Sequence, residues 1–307
     1  MHLAEGILPL EQAIGWSAVG LVALAWSIRD ELRLRQDSTS PSVIMSGITS
    51  LLFAVTLLPL PVPVVGATSH ICLTPVLALI IGVRRLIWPT FFVLLLQAIF
   101  FAHGGLTTLG LNTLTLGVFG PMATISLWTL LQRLGANNTL GLAIACAVGD
   151  LSIYVADAVF LSVALADVAE PMITFTGVVL GFAPVQIPLA VLEAAASVGI
   201  IRLLATRRPD LLPKSLRALR STPRVMTNIA ITLFCMGQYG CDYEGIDGTV
   251  FGATAKSAGR LPTDSVIDLS QGEVGLAMSI LILFGLGFIA GRCWERIISG
   301  GHDALPR

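Results

Sequence analysis

The chain has 307 residues, 55% of them hydrophobic and only 12% charged, with a formal net charge of −1 and a mean hydropathy of +0.85. An ordinary soluble domain is about 25% charged, so this composition excludes a soluble enzyme and identifies a polytopic membrane protein whose apolar surface is taken up by lipid. The net charge itself says nothing about partners, because charge in such proteins is sorted by side; no nucleic-acid partner is expected.

In chain order, the first feature is Met1-His2. A free terminal amine, the His2 amide nitrogen and a His2 ring nitrogen can close two fused rings around one cation. Such a chelate requires Met1 to remain the first residue, and no cleavable signal is expected, because the first apolar run follows polar Glu5 and Glu11 without a charged leader. Apolar runs then predict nine spans near 12–28, 43–62, 73–83, 87–103, 111–132, 140–165, 174–204, 225–240 and 274–292. With the N-terminus outside, 16 of the 18 Lys and Arg fall in inner loops and only Lys256 and Arg260 lie outside, as the positive-inside rule demands. Losing one span, even the short third, would spoil that pattern. The C-terminus is then cytoplasmic and the protein sits in the plasma membrane.

This orientation puts His2, His70 in the loop 62–72, and His103 at the end of the fourth span on the outer face; His302, the fourth histidine, falls in the inner tail. His70 can supply a further nitrogen to the Met1–His2 chelate. Four nitrogens in a plane suit Ni(II) and low-spin Co(II), whereas zinc prefers a tetrahedron. His103, in the segment FAHGGLTTLGLNT, is a ligand, the group that fixes a ligand's ring, or a residue packed beneath the loop with no metal role.

Asp150, Tyr154 and Asp157 share one helical face, and Gln186 and Glu193 lie in the seventh span. Charges inside spans face the bundle interior, so these form either an ion or proton relay or a polar network that holds helices together. Gly141, Ala145 and Gly149 make a small-residue stripe suited to close helix approach, within the bundle or to a partner. Residues 205–224, basic and Pro-containing, read as a cytoplasmic linker before a two-span part. That part's outer loop, 241–272, is rich in Gly, Ser and Thr and predicts little regular structure. Cys235 and Cys241 can pair only if both reach the outer face. There is no GxxxxGK[ST] sequence, so the chain offers no P-loop ATP site. Without HExxH or GxSxG, hydrolytic chemistry has only Ser69 with His103 as a remote intramembrane dyad.

MHLAEGILP, the GATSH loop, AHGGLTTLGLNT, GDLSIYVAD and QIPLAVLE, in that order, resemble the CbiM/NikM family, the substrate-binding components of energy-coupling-factor transporters for cobalt and nickel. The resemblance covers residues 1–204 and implies an all-α, seven-helix substrate-binding (S) component bundle. Residues 225–307 resemble the small CbiN/NikN component, adding two further transmembrane helices. The resemblance implies that Co(II) or Ni(II) is bound as transported substrate by Met1, His2 and His70, with His103 near the site. It also implies a transmembrane coupling (CbiQ/NikQ-like) subunit and two cytoplasmic (CbiO/NikO-like) ATPases as partners. The start through Glu5 and the TTLG after the glycines lean toward cobalt and cobalamin synthesis, with nickel for urease or hydrogenase as the alternative. The chain departs from the family's SHPTG loop with His70-Ile71-Cys72-Leu73, and from its usual small polar residue at Asp157.

Overall fold

A computed structural model describes residues 2–37, 40–57, 60–62, 67–219, 244–261 and 263, with isolated positions between 281 and 289. The described chain is a helical bundle with one small sheet at its end. Helix α1 (Leu10–Asp37) and α2 (Ser40–Leu57) are followed by β1 (Leu60–Val62) and β2 (Ala67–Ser69), then α3 (Thr74–Ile81) and α4 (Val83–Phe101). A continuous helical run follows, built from α5 (Leu109–Leu114), a π-helical turn at Thr115–Phe119, and α6 (Gly120–Arg133). The long pair α7 (Asn138–Ala164) and α8 (Pro171–Arg207) completes the bundle. Four stretches are long and apolar enough to cross a membrane: α4, Leu109–Arg133, α7 and α8. The seven expected N-terminal spans all correspond to helices. The eighth and ninth lie almost wholly outside the described residues, as do Cys235, Cys241 and His302.

The third span is a half-span. Its eight residues rise about 12 Å, far less than the roughly 30 Å of hydrocarbon. Pro75 sits in its first turn, and Gly82 at φ 84° ends it immediately before α4 begins. The missing half is replaced by irregular chain: residues 69–73 run buried into the bundle, and Leu73 enters α3 in the left-handed region at φ 56°. Non-helical backbone at membrane depth is tolerated where protein surrounds it. That dip carries His70 inside.

At the end of the bundle away from His70, Arg84 and Arg85 pair with Asp30 and Glu31 of α1 at 3.0 Å each, and the Arg84 guanidinium lies 4.1 Å from the Trp26 ring centre. The small-residue stripe of α7 faces α6. A Cβ on Gly149 would run into Thr124, and one on Gly141 would touch Trp128. It is an internal seam, not a subunit contact.

The C-terminal part holds more regular structure than its composition suggests. The start of the 205–224 segment is structured: α8 runs to Arg207, a 3-10 turn covers Pro209–Leu211, and α9 (Lys214–Arg217) follows, with Leu212, Leu216 and Leu219 buried. Residues 244–261, expected to be irregular, fold onto the bundle. β3 (Glu244–Gly245) pairs in parallel with β2, and a π-helical turn at Gly248–Gly252 leads into α10 (Ala253–Ser257). Polar composition hid the reason: Ile246, Phe251 and Ala255 are buried, and Phe251 packs on Phe182 of α8 with ring centres 4.5 Å apart.

Candidate metal centre

The amino-terminal arm is threaded into the end of the bundle. Asn112 holds Leu3 from both sides, accepting from its N–H at 3.1 Å and donating to its carbonyl at 3.2 Å. The Thr108 hydroxyl donates to the same carbonyl at 2.6 Å. Glu5 accepts from the Leu106 and Thr107 N–H groups at 2.6 and 3.2 Å, which open the next helical run. The two glycines after His103 make room. Gly104 takes φ 85°, and a Cβ on Gly105 would lie 2.6 Å from the Glu5 nitrogen. Backbone lies on backbone there, so only glycine fits.

Threading brings three histidines together. Ring centres of His2 and His103 are 4.5 Å apart, His2 and His70 5.3 Å, and His70 and His103 5.6 Å. Ligand atoms of these three and of Asp247 all lie within 4.8 Å of one another. Met1, the other expected ligand, lies outside the described residues.

Hydrogen bonding fixes which His2 nitrogen faces this space. The Thr56 hydroxyl donates to the Leu52 carbonyl at 2.7 Å. It therefore accepts from Gln97 Nε2 at 2.7 Å, which turns Gln97 Oε1 toward His2. That oxygen can only accept, so His2 Nε2, 3.1 Å away, carries the proton. His2 Nδ1 keeps its lone pair and has no hydrogen-bond partner. Nδ1 is the nitrogen that closes a six-membered ring with the His2 amide. The His2 amide N–H points at Asp247 Oδ2, 3.3 Å away.

Neither nitrogen of the buried His70 has a hydrogen-bond partner, nor does Nε2 of His103. Each unsatisfied buried group costs roughly 1–3 kcal/mol, a cost that a bound cation removes. Burial pulls the His70 imidazole down to about 3, lowers His2 well below its ordinary value with help from His103, and lowers His103. All three are neutral near pH 7, the form a metal requires. For Asp247 burial acts upward, but the positive charge of the amino terminus outweighs it and holds the carboxyl well below the usual range. The site is thus three neutral imidazoles beside one carboxylate.

His70 is clamped on both flanks by α8. Gln186 Nε2 donates to Ser69 Oγ at 2.8 Å, and Glu193 Oε2 accepts the Cys72 N–H at 2.8 Å. Ser69 therefore serves the loop. It makes no hydrogen bond to His103 among the described residues, so the hydrolytic dyad is not formed. Asp150, Tyr154 and Asp157 are all buried on the inner face of α7. Sequence reading missed two members of the site. Gln97 stands in the apolar run VLLLQAIF, where a lone amide is itself a signal. Asp247 was hidden among the acids of a loop read as irregular.

The comparisons agree with this architecture. Residues 2–211 match the CbiM family model, described as a cobalt uptake substrate-specific transmembrane region. A cobalt transport protein CbiM from Geobacter sulfurreducens is 34% identical over 97% of this chain and 90% of its own length. Another from Sorangium cellulosum is 35% identical over 73% of this chain and 99% of its own length. The crystal structure of a truncated transition metal transporter shares the fold at a TM-score of 0.56 and 20% identity, covering 67% of this chain and 99% of that one. The chain belongs to the CbiM family, the transmembrane components of cobalt uptake.

Proposed function

We propose that this protein is the substrate-binding component of an ATP-driven energy-coupling-factor importer of Co(II), feeding cobalamin synthesis. The ion is held by the Met1 amine, the His2 amide and Nδ1, and a His70 nitrogen, with His103 beside them. The observation that carries this reading is the bare Nδ1 of buried His2, its tautomer set by Gln97 and Thr56. As the amide nitrogen takes the metal, its proton passes to Asp247 Oδ2, which it already faces at 3.3 Å, and the site's neutral imidazoles present no competing charge.

The sorting of 16 of 18 basic residues supports an outward-facing site in the plasma membrane with the C-terminus inside. The family match ends at residue 211, and the Sorangium relative is covered almost whole by 73% of this chain. Both support a division into a metal-binding part over 1–204 and an added CbiN/NikN-like part over 225–307. The chain carries no P-loop, so energy comes from two cytoplasmic ATPases through a transmembrane coupling subunit.

Co-reconstitution with such subunits tests the proposal. ATP-dependent Co(II) accumulation is expected from the wild type and is lost in a folded His70→Ala variant. Undiminished accumulation by that variant refutes the ligand set. Nickel is the alternative cargo, because nitrogen ligands bind Ni(II) more tightly than Co(II). Preferential retention of nickel from an equal mixture would replace cobalt with it.

A further inference from the structure

Two residues past His70, the same buried loop meets a second group of ligand-type side chains. Cys72 Sγ donates to Asp150 Oδ1 at 3.3 Å, and ligand atoms of Cys72, Asp150 and Glu193 all lie within 4.8 Å of one another. Asp150 sits near the middle of α7, roughly 20 Å of helix from its Ala164 end. None of the three is exposed to water: Asp150 is 2% accessible, and Cys72 and Glu193 are 0%.

Hydrogen bonding within the protein accounts for only part of this group: Asp150 and Glu193 bond to each other and to the loop, and one oxygen is left over. One carboxylate suffices to hold the loop, and Glu193 does so with Oε2. Its other oxygen, Oε1, is buried with no hydrogen-bond partner. Among the described residues no Lys or Arg forms an ion pair with Asp150 or Glu193. Two neighbouring acids in a dry interior without a cation avoid the cost of charge by holding protons, which a bound cation would displace. A thiol, a carboxylate and an unoccupied carboxylate oxygen at this spacing are the donors a divalent transition ion accepts, the sulfur favouring softer ions over Mg(II) or Ca(II).

We propose that Cys72 Sγ, Asp150 and Glu193 Oε1 form a second transition-metal site deeper in the bundle, a station through which the ion passes after it leaves the histidine cluster. As the metal–sulfur bond forms, the thiol proton passes to Asp150 Oδ1, which already accepts its hydrogen bond. The loop supplies the connection, since His70 and Cys72 are two residues apart and α8 holds both flanks. Gln186 and Glu193 lie on either side of Pro188, where the helix lacks a backbone donor and bends readily.

Excess Co(II) added to the purified full chain tests this by X-ray absorption and by the near-ultraviolet thiolate-to-cobalt band. The wild type is expected to bind a second equivalent that carries a cobalt–sulfur path. Cys72→Ser, which keeps the loop N–H bonded to Glu193, loses that equivalent and the band but retains the nitrogen-ligated ion. A His2→Ala/His70→Ala variant, emptied of the first ion, still shows the cobalt–sulfur path. This outcome separates failure of the second site from failure of the first. Should Cys72→Ser not fold, the wild-type absorption data decide alone. A single nitrogen-ligated equivalent without sulfur in the wild type, or a sulfur path surviving in folded Cys72→Ser, overturns the proposal.

Discussion

Replacing Gln97 by Leu attacks the metal site without touching a ligand. Gln97 is completely buried and joins Thr56 to His2 by hydrogen bonds of 2.7 and 3.1 Å. Leucine of similar volume removes the acceptor of the His2 Nε2 proton. The imidazole then either keeps a buried N–H without a partner, at roughly 1–3 kcal/mol, or moves its proton to Nδ1. In the second case the chelating nitrogen is blocked until the tautomer reverts. Losing such an orienting partner lowers metal affinity by about 10–100-fold, equivalent to about 1.4–2.8 kcal/mol. Thr56→Val leaves Gln97 in place but frees its amide to rotate, so its effect should be smaller, up to about tenfold. Co(II) titration of detergent-purified protein, with thermal unfolding run in parallel, separates affinity from folding. Unchanged cobalt affinity in a folded Gln97→Leu protein would refute the tautomer argument.

Gly105→Ala sets a methyl group 2.6 Å from the Glu5 nitrogen, where neither backbone can yield; it should expel the amino-terminal arm and abolish cobalt binding, and retention of tight binding would show that the arm is seated otherwise. Phe251→Ala removes the main buried anchor of residues 244–261; a loss of roughly 3–5 kcal/mol exceeds what so short a segment holds in reserve, so proteolysis within it and cobalt release should both accelerate. His70 falls from an ordinary 6.5 to about 3 in the fold, so the unfolded chain takes up a proton that the folded one refuses. Stability of the metal-free protein should therefore drop as pH falls from about 6.5 toward 3, by at most about 1.4 kcal/mol per unit from this group. An unfolding temperature flat across that window in the wild type, or an equal slope in His70→Ala, contradicts the burial of a neutral ring.

The sequence was most informative where lipid imposes a strong pattern. Apolar runs and basic loops placed the seven N-terminal helices, because an uncharged stretch of the right length has few alternatives in a bilayer. His2, His70 and His103 stood out because histidines are so few, and the structure brings all three together. Their convergence depends on features that periodicity does not encode. The half-span α3 exists because residues 69–73 descend into the bundle, and that descent rests on Gln186 and Glu193 contacts distant in sequence. The folding of residues 244–261 depends on three apolar side chains scattered through polar sequence, which show no amphipathic stripe until Phe182 is placed opposite Phe251. Asp247 was illegible for the same reason: its importance comes only from its docking beside His2.

The most direct test of the central claim is Co(II) binding, at one equivalent, by a protein carrying a single extra residue ahead of Met1. That change leaves the described contacts of Leu3 and Glu5 in place while moving the terminal amine out of the five-membered ring it would form with the His2 amide. The account predicts a folded protein that no longer holds cobalt through the amine, amide and His2 ring, with the corresponding nitrogen-ligated spectrum gone. Wild-type affinity and an unchanged spectrum in the extended protein would contradict it.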